Sequence, residues 1–110
     1  MNNKKISILG FSTDENSSFL KGCAGAPPII MKAFESNATN KFSENGIDLG
    51  MENLWTYQSF SKIPSSKEGF QLIRDAIYKE LKTGKQCISI GGDHSITYPI
   101  IDAYNHYFQN

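Results

Sequence analysis

The sequence predicts an α/β protein in which helices flank a parallel β-sheet. Two observations lead to this prediction: short apolar runs end at glycines, and segments with helical periodicity separate these runs. The order strand, helix, strand, helix, strand is typical of parallel sheets, because parallel strands need a crossover connection between them. At 110 residues the chain has the usual size of one domain, so we expect a single folding unit over residues 1–110.

The first elements are a strand, a loop and a helix. The strand is predicted at Ile6–Leu9, where an apolar run leads to Gly10. Residues 12–25 are rich in Ser, Asp, Asn and Gly and have no apolar period, which indicates a loop. Pro27–Pro28 suits the first turn of a helix, because the amide hydrogens that proline lacks have no partners there. We expect this helix to end by Asn37.

The middle of the chain has weaker signals. Gly46–Gly50 is a short apolar segment between glycines and indicates a second strand. The segment Met51–Ser66 has no clear period, so we expect it to be irregular. Its apolar anchors are the aromatic residues Trp55, Tyr57 and Phe60.

The clearest element is a helix at Lys67–Thr83. Ser65 and Glu68 have the spacing of a capping box, in which the serine oxygen accepts from a free amide and the glutamate returns the contact. Apolar residues then recur every three or four positions, at Phe70, Ile73, Ala76, Ile77 and Leu81. Gly84 supplies a left-handed stop. The apolar run Cys87–Ile90 that follows predicts a strand buried on both faces.

A last helix is predicted between Ile96 and Phe108, with Pro99 in its first turn. Its apolar residues are expected on one face, namely Ile100, Ile101, Tyr104 and Phe108. Asp102 and His106 lie four positions apart on the same helix. We expect them on a solvated or half-buried face rather than in a metal site.

Composition excludes several classes of partner. Eleven basic residues balance eleven acidic ones, so nothing favours binding to nucleic acid or to an anionic membrane. The amino-terminal apolar run is too short for a signal or spanning segment. Cys23 and Cys87 form no CxxC pair, and we expect reduced thiols in a cytoplasmic protein.

The loop after Cys87–Ile90 is the candidate functional segment, because parallel sheets bind ligands beyond the carboxyl ends of their strands. Gly91–Gly92 allows a sharp turn, and His94 offers an imidazole nitrogen to a divalent metal. Asp93 offers a hard oxygen or an orienting hydrogen bond. On the residue types alone, a turn in which Asp93 or Ser95 caps the next helix accounts for the same pattern.

The ten residues Gly91–Ile100, GGDHSITYPI, closely resemble the first metal-ligand motif of the arginase, agmatinase and formiminoglutamase family. Gly10–Asp14 resembles the end of the family's opening strand, and Gly22–Pro27 its active-site loop and helix start. Gly46–Gly50 resembles its second strand, and Thr97–Pro99 is more similar to agmatinase-type members than to arginases. The resemblance implies the amino-terminal portion of a three-layer α/β/α sandwich.

The resemblance also implies a chemistry. In that family two manganese ions share a hydroxide that attacks the carbon of a guanidino or amidino substrate such as arginine or agmatine. His94 matches a histidine ligand of one ion, Asp93 matches a supporting residue beside it, and Asp14 keeps an acidic loop position. Gly22–Ala24 departs from the Gly-Ala-Arg of many agmatinases. The family's later Asp-x-His-x-Asp and Asp-x-Asp ligand segments do not occur in this sequence.

Three hypotheses follow. The first is an incomplete ureohydrolase-like domain, the amino-terminal portion of a manganese enzyme, inactive alone because one imidazole cannot hold a divalent ion tightly. The second is a non-catalytic α/β module that forms a homo-oligomer or binds a protein partner through an exposed last strand. The third is a nucleotide-binding protein in which Gly91–Gly92 cradles a phosphate. The absence of a Gly-x-Gly-x-x-Gly or Gly-Lys-Ser/Thr pattern argues against this third hypothesis.

Overall fold

Three strands form one parallel β-sheet in the computed structural model, which describes residues 5–50 and 53–109. Strand β1 (Ile6–Phe11) lies between β2 (Trp55–Phe60) and β3 (Gln86–Gly91). Both neighbours run parallel to β1 and pair with it along its whole length. The α/β fold with a parallel sheet that the sequence predicts is therefore confirmed.

Three α-helices flank the sheet. They are α1 (Ala26–Glu35), α2 (Lys67–Lys82) and α3 (Thr97–Phe108). The chain moves from β1 outward to β2 and then back across β1 to β3. Because crossovers between parallel strands are right-handed, this reversal places α1 and α2 on opposite faces of the sheet. The helix α3 packs beside α2.

The alternation of side chains along β1 shows which face each helix covers. Leu9 and Phe11 are fully buried in the main core, on the face that α2 and α3 cover. Gly10 points to the other face, where a Cβ on it would lie 3.0 Å from Pro27 Cβ in α1. The main core contains Leu9, Phe11, Ile63, Ile73, Ile77, Leu81, Ile96 and Ala103.

The predicted helix at Lys67–Thr83 is confirmed almost to the residue, and Gly84 has the left-handed conformation expected of a stop (φ 83°). Its start differs from the prediction. The N-cap is Ser66, whose hydroxyl hydrogen-bonds the Glu68 carboxylate instead of a main-chain amide. This hydrogen bond lowers the pKa of Glu68. The capping box at Ser65 is therefore wrong.

The predicted position of the second strand is also wrong. β2 is Trp55–Phe60, inside the segment Met51–Ser66 that was expected to be irregular; residues 51–52 lie outside the described residues. Gly46–Gly50 instead forms a turn with one isolated bridge between Phe42 and Asp48. The turn is favoured because Gly46 is left-handed (φ 82°) and the Asp48 carboxylate accepts from the amide at position 50.

Two burial predictions need correction. β3 is not buried on both faces, because it lies at an edge of the sheet, and Ile88 is 50% exposed. On α3 the buried face is centred on Pro99 and Ala103, whereas Ile101 and Phe108 are exposed. The predicted apolar face of α3 is therefore wrong for Ile101 and Phe108, whereas Ile100 and Tyr104 pack against the main core. The placement of Pro99 in the first turn is confirmed.

Candidate metal centre

The loop that follows β3 turns within a space that only glycine fits. A Cβ on Gly91 would lie 1.9 Å from Ile96 Cδ1, and a Cβ on Gly92 would lie 1.8 Å from the Thr13 carbonyl oxygen. The amide of Asp93 donates to that same carbonyl at 3.0 Å. Gly92 therefore lets the β3 loop lie directly against the loop that follows β1, whereas Gly91 leaves room for the Ile96 side chain of its own loop.

Asp93 is the centre of the hydrogen bonds at this site. It is the N-cap of a 3₁₀ turn at His94–Ile96, and its Oδ1 accepts from the amide of Ser95 (2.8 Å) and from the Ser95 hydroxyl. Its Oδ2 accepts from the main-chain amide of Asn16 at 3.0 Å. Both carboxylate oxygens thus have protein partners, and Asp93 serves the chain as a cap and as a link between loops.

The electrostatics of Asp93 agree with this role. Burial alone would raise its pKa, but hydrogen bonds from Ser95 and Asn16, together with the charge of Lys21, outweigh burial and lower the pKa. The carboxylate is therefore held in its charged form. A charged acceptor makes stronger hydrogen bonds than a neutral one, which favours a rigid loop.

His94 lies next to this buried carboxylate, at the carboxyl end of β3, and its side chain is exposed. No hydrogen bond or ion pair involves its imidazole within residues 5–50 and 53–109. β3 is parallel to β1, so the loop lies at the edge where the sequence analysis expects ligands. An exposed imidazole at this edge is available to a divalent ion.

The loop after β1 also approaches the site. The Asp14 carboxylate accepts from the amides of Gly22 (2.6 Å) and Ala24 (3.4 Å), so it organises its own loop. Lys21 Nζ donates to the carbonyl oxygens of Asp14 (2.7 Å) and Glu15 (2.9 Å). Asp14 thus makes the local loop contacts that a lone aspartate most often makes.

Asp102 and His106 lie elsewhere, where α3 faces α2. Asp102 forms an ion pair with Arg74 (3.3 Å), and the His106 ring packs 4.8 Å from the ring of Tyr78. This agrees with the expectation of a half-buried face. Within the described ranges, no group of three or more His, Cys, Asp or Glu side chains could hold a metal ion.

The sequence analysis missed two residues of this site. Thr13 accepts from the Asp93 amide through its carbonyl oxygen, and Asn16 donates its main-chain amide to the Asp93 carboxylate. Both contacts use main-chain atoms and join positions about eighty residues apart. No side-chain pattern reports such contacts, so residue types alone could not have revealed them.

The parallel sheet with flanking helices places this chain among the α/β proteins. Comparison with known proteins then identifies the family. The model of the arginase family matches residues 4–110, so this chain belongs to the arginase family.

Curated relatives agree with this assignment. The chain is 30% identical over 108 residues to the formimidoylglutamases of Salmonella paratyphi C and Salmonella choleraesuis. These alignments cover 92% of this chain and 32% of each relative. The chain therefore spans about a third of the length of these relatives.

Two solved structures show the same fold. A candidate agmatinase from Clostridium difficile superposes with a TM-score of 0.78 at 21% identity, covering 98% of this chain and 39% of that protein. The agmatine ureohydrolase of Thermoplasma volcanium superposes with a TM-score of 0.77 at 24% identity, covering 93% of this chain and 34% of that protein. These matches support the arginase-like architecture. Separately, no helix in the described part of the chain is both long and apolar enough to cross a membrane.

Proposed function

We propose that this chain is the amino-terminal part of a manganese-dependent hydrolase that cleaves a C–N bond of a guanidino or amidino compound, of the agmatine or arginine type. His94 supplies a ligand to one of two manganese ions. The observation that carries this proposal is the exposed His94 imidazole, which follows a parallel strand within the family's Gly-Gly-Asp-His motif. The names of the relatives, formimidoylglutamase and agmatine ureohydrolase, support an amidino or guanidino substrate.

The described residues do not fit a complete metal centre. Catalytic metal sites use three or more protein ligands, and His94 is one. The Asp93 carboxylate already accepts hydrogen bonds from Ser95 and Asn16, so it is a poor second ligand. When bound, such ions supply a water that loses its proton near neutral pH. We therefore expect the chain alone to bind manganese weakly and to release no product.

A hybrid protein tests the role of His94. Residues 4–110 of this chain replace the aligned segment of the Salmonella paratyphi C formimidoylglutamase, and bound manganese and amidine hydrolysis are measured. We expect the hybrid to bind manganese, and His94→Ala to lose metal and activity. His106→Ala is the matched control, since this histidine packs on Tyr78 away from the loop. Equal metal content with and without His94 would refute the proposed ligand.

The isolated chain gives a separate test of inactivity. The purified chain is incubated with manganese and with agmatine or arginine, and urea is assayed. We expect none. Urea release that disappears in His94→Ala would show that the chain is active on its own.

We also place the protein in the cytoplasm, because its cysteines, Cys23 and Cys87, are both free thiols, as is usual in a reducing compartment.

The alternative function is a non-catalytic module that self-associates or binds a protein partner. The half-exposed Ile88 on the edge strand β3 is the observation that favours it. Size-exclusion chromatography discriminates between the two functions. A defined oligomer favours the module, whereas aggregation favours a part of a larger enzyme.

A further inference from the structure

Lys21 lies in the loop between β1 and α1, and its side chain returns to the main chain of that loop. The side chain is exposed, yet its Nζ donates to the carbonyl oxygens of Asp14 (2.7 Å) and Glu15 (2.9 Å). No ion pair involves Lys21 within residues 5–50 and 53–109. A long side chain loses rotamer freedom when two contacts fix it, so this arrangement differs from that of a freely solvated lysine.

One peptide group connects Lys21 with Asp93. The carbonyl of Glu15 and the amide of Asn16 belong to the same planar peptide unit. Its oxygen accepts from Lys21 Nζ at 2.9 Å, and its N–H donates to Asp93 Oδ2 at 3.0 Å. In a trans peptide these two groups point in opposite directions. The peptide therefore lies between an ammonium and a carboxylate, and its dipole is oriented favourably toward both.

This arrangement strengthens the contact between two loops. Hydrogen bonds in a chain polarise one another, so an ammonium at the carbonyl oxygen makes the N–H of the same peptide a better donor. The acceptor is the Asp93 carboxylate, and hydrogen bonds to a charged group are the stronger kind. A second main-chain contact, from the Asp93 amide to the Thr13 carbonyl at 3.0 Å, joins the same two loops. The charge of Lys21 thus acts on the joint that holds Asp93 in place.

Asp14 fixes the main chain next to Lys21. Its carboxylate accepts from the amide of Gly22 at 2.6 Å, and its carbonyl accepts from Lys21 Nζ. The side chain and the main chain of this segment are both closed onto the start of the loop. The peptide shared with Asp93 extends the effect of Lys21 to the second loop, where His94 is the next residue.

We infer that Lys21 is a positioning residue for the loop that contains His94. Its ammonium holds the peptide between Glu15 and Asn16, and this peptide holds Asp93. The inference rests on the proposed function, because the proposed role of His94 is what gives the position of this loop a chemical consequence. Lys21 acts through main-chain atoms and through Asp93, without contacting the substrate. Loss of the ammonium weakens the joint between the loops and leaves the core unchanged.

Amide hydrogen exchange of the chain itself tests the inference without any metal. In Lys21→Met we expect the amides of Asn16 and Asp93 to exchange about fivefold to tenfold faster than in the wild-type chain, because the joint that both amides form opens more often. The urea unfolding curve should stay unchanged, since the Lys21 side chain is exposed. Faster exchange with an unchanged unfolding curve separates a local effect on the loops from a loss of the fold.

Lys79→Met is the matched control. It removes the same charge from an exposed position in α2, and Lys79 forms no ion pair in the described part of the chain. We expect both loop amides to exchange at the wild-type rate. Lys21→Arg keeps a cation with several donors and should stay within about twofold of the wild-type rate. Equal exchange at Asn16 in Lys21→Met and Lys79→Met overturns the inference, as does exchange in Lys21→Arg as fast as in Lys21→Met.

A purely local role of Lys21 gives a different pattern. The Asp14 carboxylate accepts from the amides of Gly22 and Ala24, which lie in the same loop as Lys21. If Lys21 only closes its own loop, Lys21→Met speeds exchange at these two amides and leaves Asn16 and Asp93 at the wild-type rate. That result overturns the inference.

The hybrid protein with the Salmonella paratyphi C formimidoylglutamase extends the test to metal binding. We expect Lys21→Met to weaken manganese binding by about threefold to tenfold, because Lys21 is further from the metal than the direct partners of ligands, whose loss costs about 10–100-fold. A hybrid that loses manganese in His94→Ala, but binds it equally in Lys21→Met and Lys79→Met, supports the proposed function and overturns the inference. Faster exchange at Asn16 in Lys21→Met, with manganese binding that does not depend on His94, supports the role of Lys21 in the loop and refutes the metal role.

Discussion

The main-chain amide of Asn16 donates a hydrogen bond to Oδ2 of Asp93 at 3.0 Å, joining the loop after β1 to the loop after β3. The reverse contact is the Asp93 amide, which donates to the Thr13 carbonyl at 3.0 Å. Through these two bonds the loop that contains Asp14 and the loop that contains His94 form one unit. The candidate metal ligand is thus held by contacts that its own side chain does not make.

Replacing Asp93 by alanine should loosen both loops. The change leaves the amides of Asn16 and Ser95 without their acceptor, and hydrogen bonds to a charged group are worth about 1.5–3 kcal/mol. We expect the free energy of unfolding in urea to fall by about 2–3 kcal/mol. Asp75→Ala is the control, since Asp75 is exposed and, among the described residues, bonds only Gln71, and a change below about 0.5 kcal/mol is expected. Equal effects of the two substitutions would contradict the role of Asp93.

Gly92→Ala should be destabilising for a steric reason. The added Cβ would lie 1.8 Å from the Thr13 carbonyl oxygen, which is main chain and cannot rotate away. We expect a loss of about 3 kcal/mol in unfolding free energy, at the upper end of overpacking costs. Gly25→Ala is the matched control, because nothing lies within 4 Å of its Cβ position and its φ is −79°. A stable Gly92→Ala variant would show that the loops do not approach this closely.

The fold was largely predictable because its periodicities are local. The apolar period that ends at Gly84 predicts α2, and the apolar runs at Ile6–Leu9 and Cys87–Ile90 predict β1 and β3, which pair with each other in the sheet. β2 was missed because glycines on both sides of 46–50 resemble strand boundaries. The aromatic and β-branched residues of Trp55–Phe60 were the signal that should have outweighed them.

The site was predictable in part. The motif predicts His94 as a metal ligand, a role that stays a prediction, and the structure places His94 after a parallel strand, at the edge where such sheets present their loops. The link from Asp93 to Thr13 and Asn16 depends on the tertiary approach of two loops through main-chain atoms. Sequence patterns describe side chains, and so this link could not be predicted from them. The exposure of Ile88 likewise depends on which strand lies at the sheet edge.

The two cysteines should differ in reactivity. Cys23 is exposed, whereas burial, followed by the charge of Glu80, raises the pKa of Cys87 to about 11. At pH 8 the Cys87 thiolate is about a hundredfold rarer than for a thiol of pKa 9. We expect iodoacetamide to label Cys23 rapidly and Cys87 slowly, and both rapidly in denaturant, as measured by mass spectrometry. Equal labelling rates in the folded chain would contradict this environment for Cys87.

The same shift predicts a dependence of stability on alkaline pH. A folded-state pKa above the unfolded value means that the protonated Cys87 thiol favours folding below about pH 9, and this contribution is lost as pH rises towards 11. We expect the urea midpoint to fall less steeply between pH 9 and 11 in Cys87→Ala than in the wild-type chain. Cys23→Ala is the control and should keep the wild-type slope. An identical slope in Cys87→Ala would remove Cys87 as a source of this dependence.

His94→Ala should leave the stability of the chain unchanged, which separates a chemical role from a structural one. The imidazole is exposed, so its removal is expected to change the unfolding free energy by less than about 0.5 kcal/mol. Ile96→Ala, in the same turn, is the contrasting control: Ile96 is 7% exposed in the core, and its truncation should cost about 3 kcal/mol. Urea unfolding of the two variants measures both values. A loss above about 1 kcal/mol in His94→Ala would mean that this histidine supports the fold. An unchanged free energy of unfolding would mean that the fold does not need the imidazole, which leaves the imidazole available to bind metal.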